Sequence, residues 1–160
     1  MKKGFTLIEL LIVMVIVGIL VTVTLPKYTS SLERGRVLEA MTNLEAASDV
    51  ANRKFIENNY VYTRTGVTDG NGKFLMGDFA HSRYFGTPTW PASGVANLEA
   101  RISVTRDGGE YTLTAFNRKG ELKYVICTPT DPTNVKICEN IGADLDTTDG
   151  LYKLAMVTYQ

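Results

Sequence analysis

The chain begins MKKGFTLIELLIVMVIVGILVTVTLP, and the run from Phe5 to Leu25, 21 residues, contains one ionisable side chain, Glu9. As a helix rising ~1.5 Å per residue the run is about 31 Å long, close to the ~30 Å hydrocarbon core of a bilayer. It reads as one membrane span. Lys2 and Lys3 precede it, which places that end in the cytoplasm and the rest of the chain outside. An acidic residue at mid-membrane costs roughly 2.5–3.5 kcal/mol on insertion scales. Glu9 sits one turn in from the edge and costs less, yet still calls for a partner. A cleaved secretory signal would have a shorter apolar stretch and a small-residue cleavage site; here Thr22, Thr24, Leu25 and Pro26 follow instead. A plain single-span anchor remains an alternative.

Gly4-Phe5-Thr6-Leu7-Ile8-Glu9 after a short basic leader resembles the prepilin processing site shared by type IV pilins and type II secretion pseudopilins. The resemblance covers roughly residues 1–30. It implies that a membrane-embedded prepilin peptidase cuts between Gly4 and Phe5, leaving N-methylphenylalanine at Phe5 and residues 1–4 as leader. It maps the family's glutamate onto Glu9 and its helix-weakening positions onto Gly18 and Pro26.

Cutting after Gly4 removes both lysines and leaves an amine on Phe5. That amine and Glu9 lie about 6 Å apart along a helix axis at ~1.5 Å per residue, awkward for a pair within one subunit. A pair between neighbouring copies staggered by one turn satisfies both charges, and breaking a buried pair costs ~3–5 kcal/mol. Glu9 is therefore expected to set register in assembly. The apolar span is equally at ease in lipid and against other copies. Gly18 weakens the helix by ~1 kcal/mol and Pro26 removes a backbone donor. These two either let the span stretch under load, or Pro26 simply marks the membrane exit.

The helix is expected to continue. Val37, Leu38, Met41, Leu44, Ala47, Ala51 and Phe55 recur every three or four residues, the stripe of an amphipathic helix on a core. Glu33, Arg34, Arg36, Glu39, Glu45, Asp49, Arg53 and Lys54 mark the wetter faces. One helix over residues 5–57, bent near Pro26, is predicted; a coiled-coil dimer is the alternative. Residues 58–97 are crowded with turn signals and read as an irregular connection with a short hairpin at Asp69–Gly72. Tyr60, Tyr62, Tyr84, Phe85 and Trp90 are expected in the core. His81, the one histidine, has no partner residues nearby for a metal or catalytic role.

Leu98–Thr105, Tyr111–Phe116 and Leu122–Cys127, joined by Arg106-Asp107-Gly108-Gly109 and Asn117-Arg118-Lys119-Gly120, predict an antiparallel meander. Cys127 and Cys138, the two cysteines, face an oxidising compartment and read as a disulfide; the pair resembles the disulfide-bounded C-terminal loop of pilins. A short helical turn at Glu139–Gly142 and a last strand at Leu151–Thr158 should follow. Asp144, Asp146 and Asp149 form either a solvated acidic turn or a calcium site, as the resemblance to pseudopilins suggests.

The fold class expected is α+β, a pilin fold with a long N-terminal helix packed on a small antiparallel sheet of three to five strands. The head would span residues 58–160, with the sheet over 98–127 and a disulfide-bounded region over 127–160. Net charge is zero, implying no strong steering toward nucleic acid, and no catalytic motif or obligate cofactor is evident. The function expected is that of a type IV pilus subunit. It would be held in the inner membrane, then polymerised with other copies by the assembly machinery into an extracellular filament. A type II secretion pseudopilin and a non-polymerising anchored domain are the alternatives.

Overall fold

The computed structural model describes residues 5–75, 79, 82–92, 95–96 and 98–155. Residues 1–4, His81 and the last part of the expected final strand, Met156–Thr158, lie outside the described residues. One helix dominates. α1 spans Leu7–Glu57 without interruption through Gly18 and Pro26, so a proline that lacks one helical donor is carried inside the helix rather than ending it. Asn58 closes it, its N–H reaching the Lys54 carbonyl at 2.9 Å, and Asn59 and Tyr60 take left-handed φ of 56° and 62° that turn the chain back.

Behind α1 lies an antiparallel sheet of five strands: β2 (Glu99–Thr105), β3 (Tyr111–Arg118), β4 (Glu121–Pro129), β5 (Ala143–Asp146) and β6 (Leu151–Leu154). A two-residue strand, β1 (Val95–Ala96), adds to its edge, and the order is β1-β2-β3-β4-β6-β5. The meander is as expected, but its second turn is tighter. Asn117 and Arg118 belong to β3, and Lys119 and Gly120 alone make the loop, with φ of 53° and 83°. Two successive positive φ values define the hairpin turn that matches strand twist. The short helix begins earlier than the expected Glu139–Gly142 turn: α2 spans Lys136–Asn140, is capped by Ile141 and is followed by Gly142 with a φ of 95°. Asp144 lies within β5 rather than in the following turn, so the acidic cluster is split between a strand and a loop. The final strand is not an added edge: β6 is inserted between β4 and β5, with Val125 opposite Leu154 and Asp146 opposite Leu151.

The core lies between α1 and the inner face of the sheet. Val37, Ala40, Met41, Leu44, Ala47, Ala51 and Phe55 meet Ala100, Ile102, Val104, Leu113, Ala115, Val125 and Leu154. Alanines on both sides let helix and sheet approach closely. Leu38 departs from expectation, being 58% exposed. The sheet is met by the 37-40-41-44-47-48-51-52-55 face, and Leu38 points about a quarter-turn away from it. Ser48 and Asn52 are buried where the stripe was read as purely apolar. Glu33 likewise leaves the wet faces for the helix–sheet boundary, as described below. The connecting region runs along the side of this core, with Tyr62, Trp90 and Phe74 gathered near Phe55 and Phe85 packed on Tyr111 toward the Glu33 end, while Tyr60 is 63% exposed and Tyr84 half-buried. Tyr60 fails to enter because the left-handed turn swings it outside the Phe55 ring, 5.8 Å away edge-on.

The Asp69–Gly72 hairpin is present, closed by an isolated bridge between Thr68 and Phe74, and Lys73 bridges onward to Thr89. At Gly72, φ is +87° and an added Cβ would stand 2.5 Å from the Trp90 carbonyl oxygen, while the Trp90 N–H donates to the Gly72 carbonyl at 2.7 Å. Gly72→Ala should lower the stability of the head by about 1–2 kcal/mol through backbone strain, measured as a shift in the denaturant midpoint with an unchanged slope.

The outer face of the sheet carries a stacked ladder. Arg101 lies over the Phe116 ring at 5.6 Å, Phe116 stacks on Tyr124 at 4.9 Å, and the Lys153 ammonium covers Tyr124 at 4.5 Å. Four strands are thus cross-linked by side chains on the face opposite α1.

Candidate assembly helix and its junction with the head

Thr6 and Glu9 close the start of α1. The Thr6 N–H and hydroxyl both donate to Glu9 Oε2, at 2.8 and 2.7 Å, and the Glu9 N–H reaches back to Thr6 Oγ1 at 3.4 Å. This reciprocal arrangement is a capping box. It gives the lone acid of the apolar run two donors within its own subunit. The Thr-x-x-Glu spacing was present in the sequence and is the signal that could have disclosed it.

From Leu7 to Leu25 the helix side chains are exposed, and its most apolar stretch has a mean hydropathy of 2.8 with none of it buried against the head. The polar groups in this stretch turn inward on their own helix: Thr22 Oγ1 donates to the Ile19 carbonyl at 2.8 Å and Thr24 Oγ1 to that of Leu20 at 2.9 Å. Side-chain hydroxyls so satisfied are tolerated in hydrocarbon. Gly18 has open space around it. A surface of this size and apolarity, continuous along one helix, needs lipid or protein to cover it.

The exposed stretch of the helix gives way to the head at one turn. Ser30 Oγ and Arg34 Nε both donate to the Asn140 carbonyl, each at 2.9 Å. Glu33, on the same turn, reaches the sheet instead. Its Oε1 accepts from Arg106 Nε at 2.6 Å and from the Tyr111 hydroxyl at 2.8 Å, and its Oε2 accepts from Arg36 Nη1 at 2.8 Å. Burial alone would raise the Glu33 pKa, but the hydrogen bonds from Arg106, Tyr111 and Arg36 outweigh it and hold the carboxyl below its ordinary value. The same contacts push Arg106 up, and burial together with Glu33 pushes the Tyr111 hydroxyl up. Sequence reasoning missed this cluster, because its members are far apart in the chain.

Cys127 and Cys138 are bonded, their Cα atoms 5.8 Å apart, as expected. The bond joins the latter part of β4 to α2. Of the three aspartates proposed as calcium ligands, Asp146 and Asp149 both hold Lys153 Nζ, at 2.7 and 2.5 Å. The lysine hydrogen bond, with others from Thr148, lowers Asp146 to a pKa of about 2. Lys153 occupies the position between the two carboxylates that a cation would need. Among the described residues no three His, Cys, Asp or Glu side chains group as a metal site.

A family model described as a prokaryotic N-terminal methylation motif matches residues 1–25. A type IV major pilin protein PilE1 of Neisseria gonorrhoeae is 32% identical over 160 residues, covering 92% of this chain and 90% of that protein. The chain belongs to the type IV pilin family. Shorter matches also join this pilin to a fimbrial protein of Pseudomonas aeruginosa, 31% identical over 86 residues, and to one of Moraxella nonliquefaciens, 54% identical over 41 residues. These cover 45% and 26% of this pilin, and 56% and 27% of the respective relative. No solved structure matches the chain. The expectation of a pilin fold is met: a long apolar helix packed on an antiparallel sheet, with a disulfide near the C-terminus.

Proposed function

We propose that this chain is the structural subunit of a type IV pilus filament. It is stored in the cytoplasmic membrane as a single-pass precursor with its N-terminus in the cytoplasm. Cleavage by prepilin peptidase between Gly4 and Phe5, followed by methylation of the Phe5 amine, readies it for polymerisation by the inner-membrane assembly machinery. The observation that carries this reading is the division of α1 into two halves. Residues 37–55 bury a stripe against the sheet, whereas residues 7–25 present apolar side chains in every direction. A helix apolar all round belongs in lipid or among other apolar helices, and a subunit that moves from one to the other uses both. In this reading Glu9 meets the Phe5 amine of a neighbouring copy, and the stretch between Gly18 and Pro26 gives the fibre its compliance. The role is structural rather than catalytic. It includes no cofactor; calcium at Asp144, Asp146 and Asp149 would have to displace Lys153.

The test is mass spectrometry of the N-terminal peptide after cells are separated into a sheared surface fraction and a membrane fraction. A peptide beginning at methylated Phe5 and abundant in the sheared fraction is the expected result. The same peptide confined to membranes would favour a secretion pseudopilin, and intact Met1–Gly4 in both fractions would sink the filament reading.

A further inference from the structure

We propose that the α1 turn from Ser30 to Arg34 is a two-grip clasp that fixes where the long helix parts from the head, and that the Cys127–Cys138 bond holds one of the two grips in place. The described side chains of residues 5–29 are exposed, and Val37 is the first fully buried one on α1. The clasp lies between these limits. Its first grip is Ser30 and Arg34 on the Asn140 carbonyl, and its second is Glu33 on Arg106 and Tyr111.

The two grips depend on different parts of the head. Arg106 and Tyr111 belong to the corner between β2 and β3, which is fastened by strand pairing. Asn140 ends α2, a helix of five residues with no side-chain cap at its start. A helix this short does not hold itself in place. Two residues before Asn140, Cys138 is fully buried and bonded to Cys127 in β4. The segment between the cysteines is joined to the sheet mainly at its ends, the Thr130 N–H reaching the Glu110 carbonyl at 3.0 Å near its start. Reduction removes that tie and leaves α2 held only by buried Ile141, the Tyr152 hydroxyl donating to Glu139 at 3.3 Å and the pairing of β5 from Ala143 onward, so the carbonyl that Ser30 and Arg34 share is less firmly placed. The Glu33 grip is left intact.

The clasp has a mechanical meaning that rests on the filament reading. Pull on the apolar half of α1 enters the head through two routes at once: the β2–β3 corner by way of Glu33, and β4 by way of Asn140 and the disulfide. With the second route open, the load falls on the first alone, and α1 peels further before the core resists.

Hydrogen exchange followed by mass spectrometry on the full-length chain in detergent micelles tests the clasp. The oxidised chain, the reduced chain and an oxidised S30A/R34A variant are compared. Both altered forms should exchange the amides of residues 27–33 about fivefold faster or more, as expected for losing hydrogen bonds worth ~1 kcal/mol or somewhat over, with residues 40–52 unchanged. Alanine is the strongest helix former, so faster exchange in the variant cannot come from helix propensity. Unchanged rates at residues 27–33 in S30A/R34A overturn the clasp, even if reduction loosens the whole head. Unchanged rates there in the reduced chain, with residues 136–142 exchanging fast, overturn the role of the disulfide. Failure of the wild-type chain to form filaments would sink the functional reading and leave the exchange result standing. Where filaments form, those of S30A/R34A should lengthen under less force, and identical force–extension curves overturn the mechanical role.

Discussion

Glu9→Leu is expected to reduce the yield of surface filament at least about tenfold while leaving membrane insertion intact. The physical basis is asymmetric. In the free subunit the carboxylate is held by the Thr6 N–H and hydroxyl, so Leu at this position costs the helix start one capping interaction and makes the span more apolar. In the filament the proposed partner is a neighbour's Phe5 amine, and losing one member of a buried pair strands the other at ~3–5 kcal/mol. Each 1.4 kcal/mol is a factor of ten in an equilibrium, which is ample to stop addition of subunits. Thr6→Ala separates the two roles. It removes the capping hydroxyl, worth ~0.5–2 kcal/mol to the helix, but keeps the carboxylate and should leave filaments on the cell. Immunoblots of sheared and membrane fractions read both variants. Wild-type yield from Glu9→Leu would show that the acid serves only its own subunit.

Glu33→Gln should destabilise the head by about 3 kcal/mol, because Arg106, 11% exposed in its side chain, loses its counter-charge while staying in place. The effect has a defined pH dependence. Glu33 is held below its ordinary pKa, so its contribution is fully present above the usual carboxylate range near ~4.3 and is lost as pH falls through the lower folded value. Denaturant midpoints at neutral pH should therefore differ strongly between wild type and variant. The two curves should converge as the pH falls below the folded value of Glu33, where both side chains are uncharged. A difference that persists unchanged to the lowest pH would mean that shape, not charge, is what the glutamate supplies.

Period and turn chemistry made the helix and the meander legible. The 3–4 spacing of Val37, Met41, Leu44, Ala47, Ala51 and Phe55 located the buried face of α1, and Gly108, Gly109 and Gly120 located the hairpin turns. Leu38 and Tyr60 were misplaced because hydrophobicity does not encode the angle at which a helix meets its sheet, nor which way a left-handed turn throws a ring. Glu33 looked like any surface acid; its partners Arg106 and Tyr111 are more than seventy positions away, and no local pattern announces such a meeting. The strand order failed to show for a similar reason. β5 is four residues with two acids in it, a composition that reads as loop until β6 is beside it. The assembly helix was the most legible part of all, since its chemistry is decided by solvent rather than by tertiary contacts.

The insertion of β6 between β4 and β5 bears on how the subunit is made. Until Leu151–Leu154 emerges, β4 has no neighbour beyond β3 and β5 has none at all. During synthesis the N-terminal helix is complete while the head waits with an open sheet, and pairing across such sequence distances is slow to nucleate. Unpaired strand edges invite intermolecular pairing. Arrival of Leu151–Leu154 thus becomes the closing step of the sheet, the point at which both open edges are paired at once.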